Sequence, residues 1–216
     1  GPGMAGQQQF HHLVEQARRR LVRQQLGHLA DRGARLRLDL ETELGGEAHR
    51  ADDALGVMAE YTADGDKLHM AYSFNLLTPQ FSAAHIRKQV EEFEARVKGG
   101  WASWSVGNHD SIRVMTRWGG DKPTPALAKL VLAMQLSLKG TPCLYQGDEL
   151  AFTEADVPYE LLQDPYGITF WPEFKGRDGC RTPIAWTAEH PNGGFTTGKP
   201  WLPVDERHIA VAASLQ

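Results

Sequence analysis

The sequence is poor in the features that mark disulfide-rich, membrane-spanning and nucleic-acid-binding proteins. Its 216 residues include only two cysteines, Cys143 and Cys180, so at most one disulfide could form. No run of about 18 apolar residues occurs, and no N-terminal stretch has the pattern of a secretory leader. The formal net charge of −4 offers no electrostatic basis for binding nucleic acid. We therefore expect a cytoplasmic protein that binds neither nucleic acid nor membranes.

Common cofactor and metal motifs are missing as well. The sequence has no phosphate-binding GxxxxGK[ST] loop, no GxGxxG after a strand, and neither HExxH nor CxxC. His11 and His12 are adjacent, but no further metal ligand stands at a suitable spacing. We expect neither a cofactor nor a metal.

The sequence does contain an alternation of strand-like and helix-like segments. Hydrophobic residues make up 41% of the chain and charged residues 23%, as in ordinary proteins with a sizeable core. Strands that alternate with helices predict parallel α/β units. The predicted helices span residues 10–31, 51–61, 83–97 and 125–139, and the predicted strands span residues 35–40, 67–74, 101–107 and 143–145.

The last third of the chain differs in composition from the rest. Between residues 151 and 216, Pro, Gly and aromatic residues are frequent and periodic segments are few. Flexible linkers are poor in Trp and Phe, so we predict a long ordered loop region whose Trp side chains mostly anchor it to the core. Residues 10–150 are predicted to form the α/β domain on which it packs. Residues 1–9 are expected to be disordered, and Gly1-Pro2-Gly3 before Met4 is typical of an expression-tag remnant.

The segment Asn108-His109-Asp110 places an amide, an imidazole and a carboxylate directly after an apolar, strand-like run. Such an abrupt change is typical of a barrel strand that delivers polar groups to a site at its C-terminal end. A polar turn after a strand is the alternative interpretation.

Two further acidic residues, Asp39 and Glu47, also lie at predicted strand ends. Strand ends converge on one face of a parallel barrel, and two carboxylates about 5 Å apart support retaining glycoside hydrolysis. Arg37 shares a strand face with Asp39 and would keep it ionised, as a nucleophile requires. A surface ion pair between Arg37 and Asp39 is an equally weighted alternative.

Several longer segments resemble the α-glucosidase branch of the α-amylase family of glycoside hydrolases. The resemblance is dense from about Leu55 to Val204. It is carried by Val57–Thr62, Asp66–Phe74, Gly107–Asp110 with Arg113, Cys143–Leu150, Gln163–Gly167 and Trp171–Pro183.

The resemblance implies a role for each matching residue. Asp39, in Arg37-Leu38-Asp39, takes the place of the nucleophile, and Glu47 that of the general acid/base. His109 and Asp110 match the segment that binds sugar hydroxyls and stabilises the transition state. Arg113 and Arg181 lie in matching segments and are further candidates for substrate binding.

The sequence also departs from the family pattern. Only seven residues separate Asp39 from Glu47, whereas a strand–helix–strand crossover needs at least about 10–12. Segments resembling the early barrel strands and the C-terminal β-domain are missing. We therefore predict a partial (β/α)8, or TIM-type, barrel that corresponds to about its second half. Because an open barrel exposes strand edges and apolar faces, we expect self-association to complete or cover it.

Two functional hypotheses follow from these observations. The first is an α-glucosidase-like hydrolase that cleaves α-glucosidic bonds of small oligosaccharides by a retaining mechanism. The alternative is a non-catalytic remnant of such a barrel, acting as an oligomeric binding or interaction module.

Overall fold

Among the described residues, three short parallel strands form a sheet in the order β1-β2-β3. The computed structural model describes residues 53–63, 67–120, 123–189 and 191–216. Ala71 pairs with Ala102 and Ser103 pairs with Thr141, so the chain passes from one strand to its neighbour in sequence order. In the described residues, no helix is long and apolar enough to cross a membrane.

Helices connect the strands, as parallel pairing requires. Helix α2 lies between β1 and β2 in sequence, and helices α3 and α4 lie between β2 and β3. Single turns of 3₁₀ helix occur at Tyr159–Leu161, Asp178–Cys180 and Ala213–Leu215, and Pro191–Gly194 forms a turn in which Asn192 and Gly193 have left-handed backbone angles. The strands are β1 Ala71–Ser73, β2 Ala102–Trp104 and β3 Thr141–Pro142, and the helices are α1 Ala54–Thr62, α2 Ala83–Arg96, α3 Val114–Gly119, α4 Pro125–Ser137, α5 Pro165–Thr169 and α6 Glu206–Ile209.

The two longest helices of the described residues, α2 and α4, begin at side-chain caps. The Ser82 hydroxyl accepts a hydrogen bond from the His85 N–H, and the Thr124 hydroxyl accepts one from the Leu127 N–H. Each cap satisfies one of the amide groups that lack a partner in the first helical turn. Pro125 follows at the first position of α4, where its missing N–H costs nothing. These caps explain why both predicted helices begin where they do.

The central strand is the best packed part of the sheet. Trp104 is buried against Phe93 of α2, with ring centroids 5.3 Å apart. Its indole N–H donates to the carbonyl of Lys139. The buried Gln135 amide of α4 donates to the carbonyls of both Trp104 in β2 and Cys143, which directly follows β3, and so ties the helix to the sheet. Buried residues of the same cluster include Leu55, Met58, Leu76, Val97, Val106, Val114, Met115 and Val131.

Several local predictions differ from the structure. The strand predicted at residues 143–145 is found two residues earlier, at Thr141–Pro142, and Leu144 is exposed. Helical spacing from Leu127 predicts that Leu130 lies on the apolar side of α4, but Leu130 is 56% exposed, while Gln135 is buried. Gln135 is buried because its side-chain amide donates hydrogen bonds to two carbonyls of the sheet region, which need donors once they are removed from water. The sequence patterns did not predict helix α3, which is only six residues long.

The region after residue 150 is ordered by short elements and by two small apolar clusters. Leu150 and Phe152 pack with Ala185 and Ala212, and a second cluster joins Val157, Leu162 and Leu202. The prediction that most Trp side chains anchor this region is wrong for Trp186 and Trp201, which are exposed. The buried Phe152 and aliphatic residues anchor it instead.

The described part from Leu55 to Gln216 forms a single unit by its internal contacts. The division of the chain at residue 150 into a barrel domain and a loop region stays a prediction. The helix predicted at residues 10–31 and the strand predicted at residues 35–40 lie outside the described residues.

Candidate active site at the end of strand β2

Strand β2 delivers Asn108-His109-Asp110 through a tightly packed backbone segment. After the strand, Ser105 and Val106 are buried, and the Ser105 hydroxyl donates to the Gly107 carbonyl at 2.6 Å. The Tyr72 hydroxyl of β1 donates to the same carbonyl at 3.3 Å. A Cβ on residue 107 would lie 2.7 Å from Asp148 Oδ2, so glycine is required for this close approach.

The two ionisable groups of this strand end point to solvent. His109 and Asp110 have side chains 68% and 48% exposed, with His109 Nε2 lying 3.5 Å from Asp110 Oδ2. The Asn108 side-chain oxygen accepts a hydrogen bond from the Asp110 N–H at 2.9 Å, which fixes the turn. The strand end thus presents an imidazole and a carboxylate together on an open surface.

Two arginines from the loop region hold the Asp110 carboxylate. Arg181 donates from Nη2 to Asp110 Oδ1 at 2.8 Å and from Nε to the His109 carbonyl at 2.7 Å. Arg177 donates from Nη1 to the same Oδ1 at 3.1 Å. In the described part of the chain, the hydrogen bonds to this carboxylate all involve Oδ1.

Arg177 is itself held by a buried carboxylate. Asp164, whose side chain is 0% exposed, accepts from Arg177 Nε at 2.8 Å and from Nη2 at 3.0 Å. Burial raises the pKa of Asp164, but hydrogen bonds from Arg177 and from the Tyr166 amide outweigh it, so the pKa lies below its ordinary value. The hydrogen bonds to Asp164, and the charges of Asp164 and Asp110, raise the pKa of Arg177 despite its partial burial.

Arg113 occupies the interior behind the site. Its side chain is 1% exposed and donates to the carbonyls of Gln146 at 2.8 Å and Cys180 at 3.0 Å. The guanidinium lies over the rings of Tyr145 and Phe152, each centroid 5.4 Å away. Its predicted role in substrate binding stays a prediction, but this buried position favours a structural role in joining the loop region to the strand end.

Asp148 is a buried carboxylate that sequence reasoning did not single out. Burial raises its pKa to about 6, although Arg113 and Arg117 nearby and the Tyr145 amide lower it. Its Oδ2 accepts from the Tyr145 N–H at 3.3 Å, and its Oδ1 is buried without a hydrogen-bond partner among the residues that the structure describes. The sequence could have pointed to Asp148, because it lies in the segment Cys143–Leu150 that carries part of the family resemblance.

The structure therefore brings together His109, Asp110 and Arg181 and adds Arg177, Asp164 and Asp148 to them. Arg37, Asp39 and Glu47, the other predicted site residues, lie outside the described residues. No group of three or more metal-ligating side chains occurs within residues 53–63, 67–120, 123–189 and 191–216.

Comparison with known families gives a match over most of the chain. The family described as "Alpha amylase, catalytic domain" matches residues 38–216. Among curated proteins, a probable alpha-glucosidase of Rhizobium meliloti (strain 1021) is 46% identical over 173 residues, which cover 79% of this chain and 31% of that protein. An oligo-1,6-glucosidase of Heyndrickxia coagulans is 39% identical over 138 residues, covering 54% of this chain and 25% of that protein.

Solved structures resemble the fold over a similar share of the chain. The alpha-glucosyl transfer enzyme XgtA is 57% identical with a TM-score of 0.71, covering 76% of this chain and 30% of that one. The trehalulose synthase MutB from Pseudomonas mesoacidophila is 27% identical with a TM-score of 0.64, covering 74% and 34%. The predicted partial (β/α)8 barrel is thereby confirmed. The chain spans about a third of the length of the relatives it matches.

Proposed function

Because the chain belongs to the α-amylase family, we propose that it is an α-glucosidase-like glycoside hydrolase that cleaves α-glucosidic bonds of small oligosaccharides. The observation that carries the proposal is the grouping of His109, Asp110 and Arg181 at the C-terminal end of a parallel strand. This is the end at which barrel enzymes of many kinds place their catalytic groups. Relatives with the names alpha-glucosidase and oligo-1,6-glucosidase support the substrate class.

The proposed mechanism is retaining, and two carboxylates act directly on the glycosidic bond. Asp39 would attack the anomeric carbon, and Glu47 would protonate the leaving oxygen and then deprotonate the attacking water. Arg37 would keep Asp39 ionised and oriented. These three assignments rest on the sequence resemblance.

Asp110 and His109 would contact the sugar that is bound for cleavage. Two arginines hold Asp110 through Oδ1, so Oδ2 is available to accept hydrogen bonds from sugar hydroxyls. A carboxylate accepts such bonds strongly because it is charged, and bonds that tighten as the oxocarbenium ion forms accelerate the reaction. Arg181, which is partly exposed beside Asp110, would add a donor to the same sugar.

The test is hydrolysis of p-nitrophenyl α-glucoside by the purified chain. We expect release of p-nitrophenol, and a loss of about 100-fold or more in kcat for both Asp39→Asn and Asp110→Asn. Asp156→Asn is the matched control, because Asp156 is a highly exposed acid of the loop region that pairs with Lys175 and not with the site. Equal background release by the wild type and both site variants would contradict the proposal.

A non-catalytic role is the second candidate. It is favoured by the described sheet, which has three strands in a family whose members have a closed barrel of eight. Catalysis depends on groups placed to within about 0.5 Å, so a site without part of its supporting residues would be inactive. Binding of an α-linked glucose disaccharide without any turnover would favour this role, that of an oligomeric binding or interaction module.

We expect the chain to self-associate under either of the two proposed functions. Large apolar side chains are exposed beside β1 and after β3, namely Leu68, Met70, Phe74 and Leu144. A second copy of the chain would remove this surface from water. Light scattering at micromolar concentration is expected to give at least twice the monomer mass of 24.0 kDa, and a lone monomer would contradict the expectation.

We also propose a cytoplasmic location, without nucleic-acid or membrane partners. Cys143 and Cys180 are both free thiols, which suits a reducing compartment. The negative net charge supports the absence of a nucleic-acid partner.

A further inference from the structure

We propose that Arg177 is a positioning residue that fixes the orientation of the Asp110 carboxylate. The inference rests on the proposed function, which gives Asp110 the task of contacting the sugar. Arg177 has no place in the sequence-derived site, and its part emerges from the contacts that surround it.

The anchor for Arg177 is built into the interior. Asp164 accepts three hydrogen bonds from Arg177, from the backbone N–H at 2.8 Å as well as from Nε and Nη2. A bidentate pair with a fully buried carboxylate holds a guanidinium in one plane. The Tyr166 ring, 5.3 Å from the guanidinium carbon, covers one face of it.

The backbone around the anchor is shaped for this contact. Gly176 has φ +78°, and a Cβ there would come within 2.8 Å of Gly167 and 3.0 Å of Asp164 Oδ2. Asp178, also buried, accepts from the amides of Gln163 at 2.6 Å and Asp164 at 2.8 Å. The segment that carries Asp164 and the segment that carries Arg177 are therefore locked to each other.

With Nε and Nη2 committed to Asp164, Nη1 remains to reach Asp110 Oδ1 at 3.1 Å. Arg181 also binds this oxygen, but it binds the adjoining His109 carbonyl at the same time. Both side-chain hydrogen bonds of Arg181 therefore go to the strand end itself. Arg177, four residues earlier in the same segment, also binds the buried Asp164 carboxylate, so it is the contact that ties the orientation of Asp110 to the interior and leaves Oδ2 toward the sugar.

The test compares Arg177→Lys with the wild type. A lysine ammonium cannot bind both Asp164 oxygens and Asp110 together, although it keeps the charge. We expect kcat on p-nitrophenyl α-glucoside to fall about 100-fold, since a 1 Å misplacement costs this much, while KM changes less than about threefold. Asp164→Asn keeps the shape of the anchor and should act in the same direction.

A second measurement reports the orientation without activity. Three-bond NMR couplings from Asp110 Cγ to its backbone nitrogen and carbonyl carbon give its side-chain rotamer. We expect a single rotamer in the wild type and averaged couplings in Arg177→Lys. Arg207→Lys is the matched control, because Arg207 makes a similar pair with Asp205 but does not contact Asp110. It should keep both the couplings and the activity of the wild type.

The outcomes separate the two proposals. An active wild type with an equally active Arg177→Lys, or a single Asp110 rotamer in both, overturns the positioning role. A wild type without activity overturns the proposed function, and loss of the single rotamer in Arg177→Lys still supports control of Asp110 by Arg177. Circular dichroism on every variant confirms the fold before either comparison, and Asp164→Asn replaces Arg177→Lys if the latter does not fold.

Discussion

Asp148 and Gly107 meet behind the strand end, and each constrains the other. The hydrogen atom of Gly107 leaves room for a carboxylate that any larger side chain would displace. Asp148 in turn is buried beside Arg113 and Arg117, and its charge attracts both guanidinium groups. The site surface therefore depends on two buried residues that lie behind it.

Replacing Gly107 by alanine tests this close approach. The new methyl group would lie 2.7 Å from Asp148 Oδ2, inside van der Waals contact, so one of the two segments must shift. We expect the free energy of unfolding, measured by urea denaturation, to fall by about 1–3 kcal/mol. Gly198→Ala is the control, since its Cβ would meet nothing closer than 3.8 Å. Equal stability of the two variants would contradict this account.

At the scale of the elements, caps and one buried amide place the helices on the sheet. The cap residues Ser82 and Thr124 are visible in the sequence as hydroxyl side chains at the starts of α2 and α4. Gln135 is not, because helical periodicity predicts apolar residues at buried positions. Strand carbonyls that need donors overrule the periodicity there.

Removing the cap of α4 should weaken the packing of the helix on the sheet. Thr124→Ala leaves the Leu127 N–H without its acceptor and is expected to cost about 1 kcal/mol. Thermal unfolding followed by circular dichroism measures this as a lower Tm. Lys129→Gln, an exposed change within the same helix, serves as the control and should leave Tm unchanged. A cap variant as stable as this control would show that the cap contributes little.

Two buried ionisable groups give the whole molecule opposing dependences of stability on pH. Burial raises the pKa of Asp148 to about 6, so the folded state holds its proton more tightly and stability falls as pH rises from about 4 to 6. Burial lowers the pKa of His208 to about 4, although the hydrogen bond to Thr153 raises it. The unfolded state then binds the proton more tightly, so stability rises from about pH 4 to 6.5.

A variant in which residue 148 cannot titrate should reveal how His208 contributes to the pH dependence of stability. In Asp148→Asn, the free energy of unfolding is expected to rise between pH 4 and 6.5, by an amount on the order of 3 kcal/mol. Urea denaturation at a series of pH values measures it. The wild type, in which the two contributions oppose each other, should show a much flatter profile, and equal slopes in both proteins would refute the assignment.

A variant in which residue 208 cannot titrate should reveal how Asp148 contributes to the pH dependence of stability. His208 lies stacked on Phe152 with ring centroids 4.0 Å apart, and its Nε2 lies 2.8 Å from the Thr153 carbonyl. His208→Gln keeps a donor for that carbonyl but removes the titration. Its overall stability is expected to be lower because the stacking is lost, while its stability falls as pH rises from about 4 to 6. A profile that still rises over this range would count against the role of His208.

The sequence by itself determined the family, the parallel strand–helix alternation and the strand end at Asn108-His109-Asp110. These are local patterns: capped amphipathic helices, apolar runs that end on polar groups, and motifs of adjacent residues. Only the tertiary structure decided that Arg177 and Asp164 support Asp110, that Arg113 is buried, and that Asp148 faces Gly107. Several of these contacts join distant residues, since Arg177 and Asp110 are 67 positions apart in the sequence, as are Arg113 and Cys180. They depend on burial and on the demand that buried charges and carbonyls find partners, which no local pattern records.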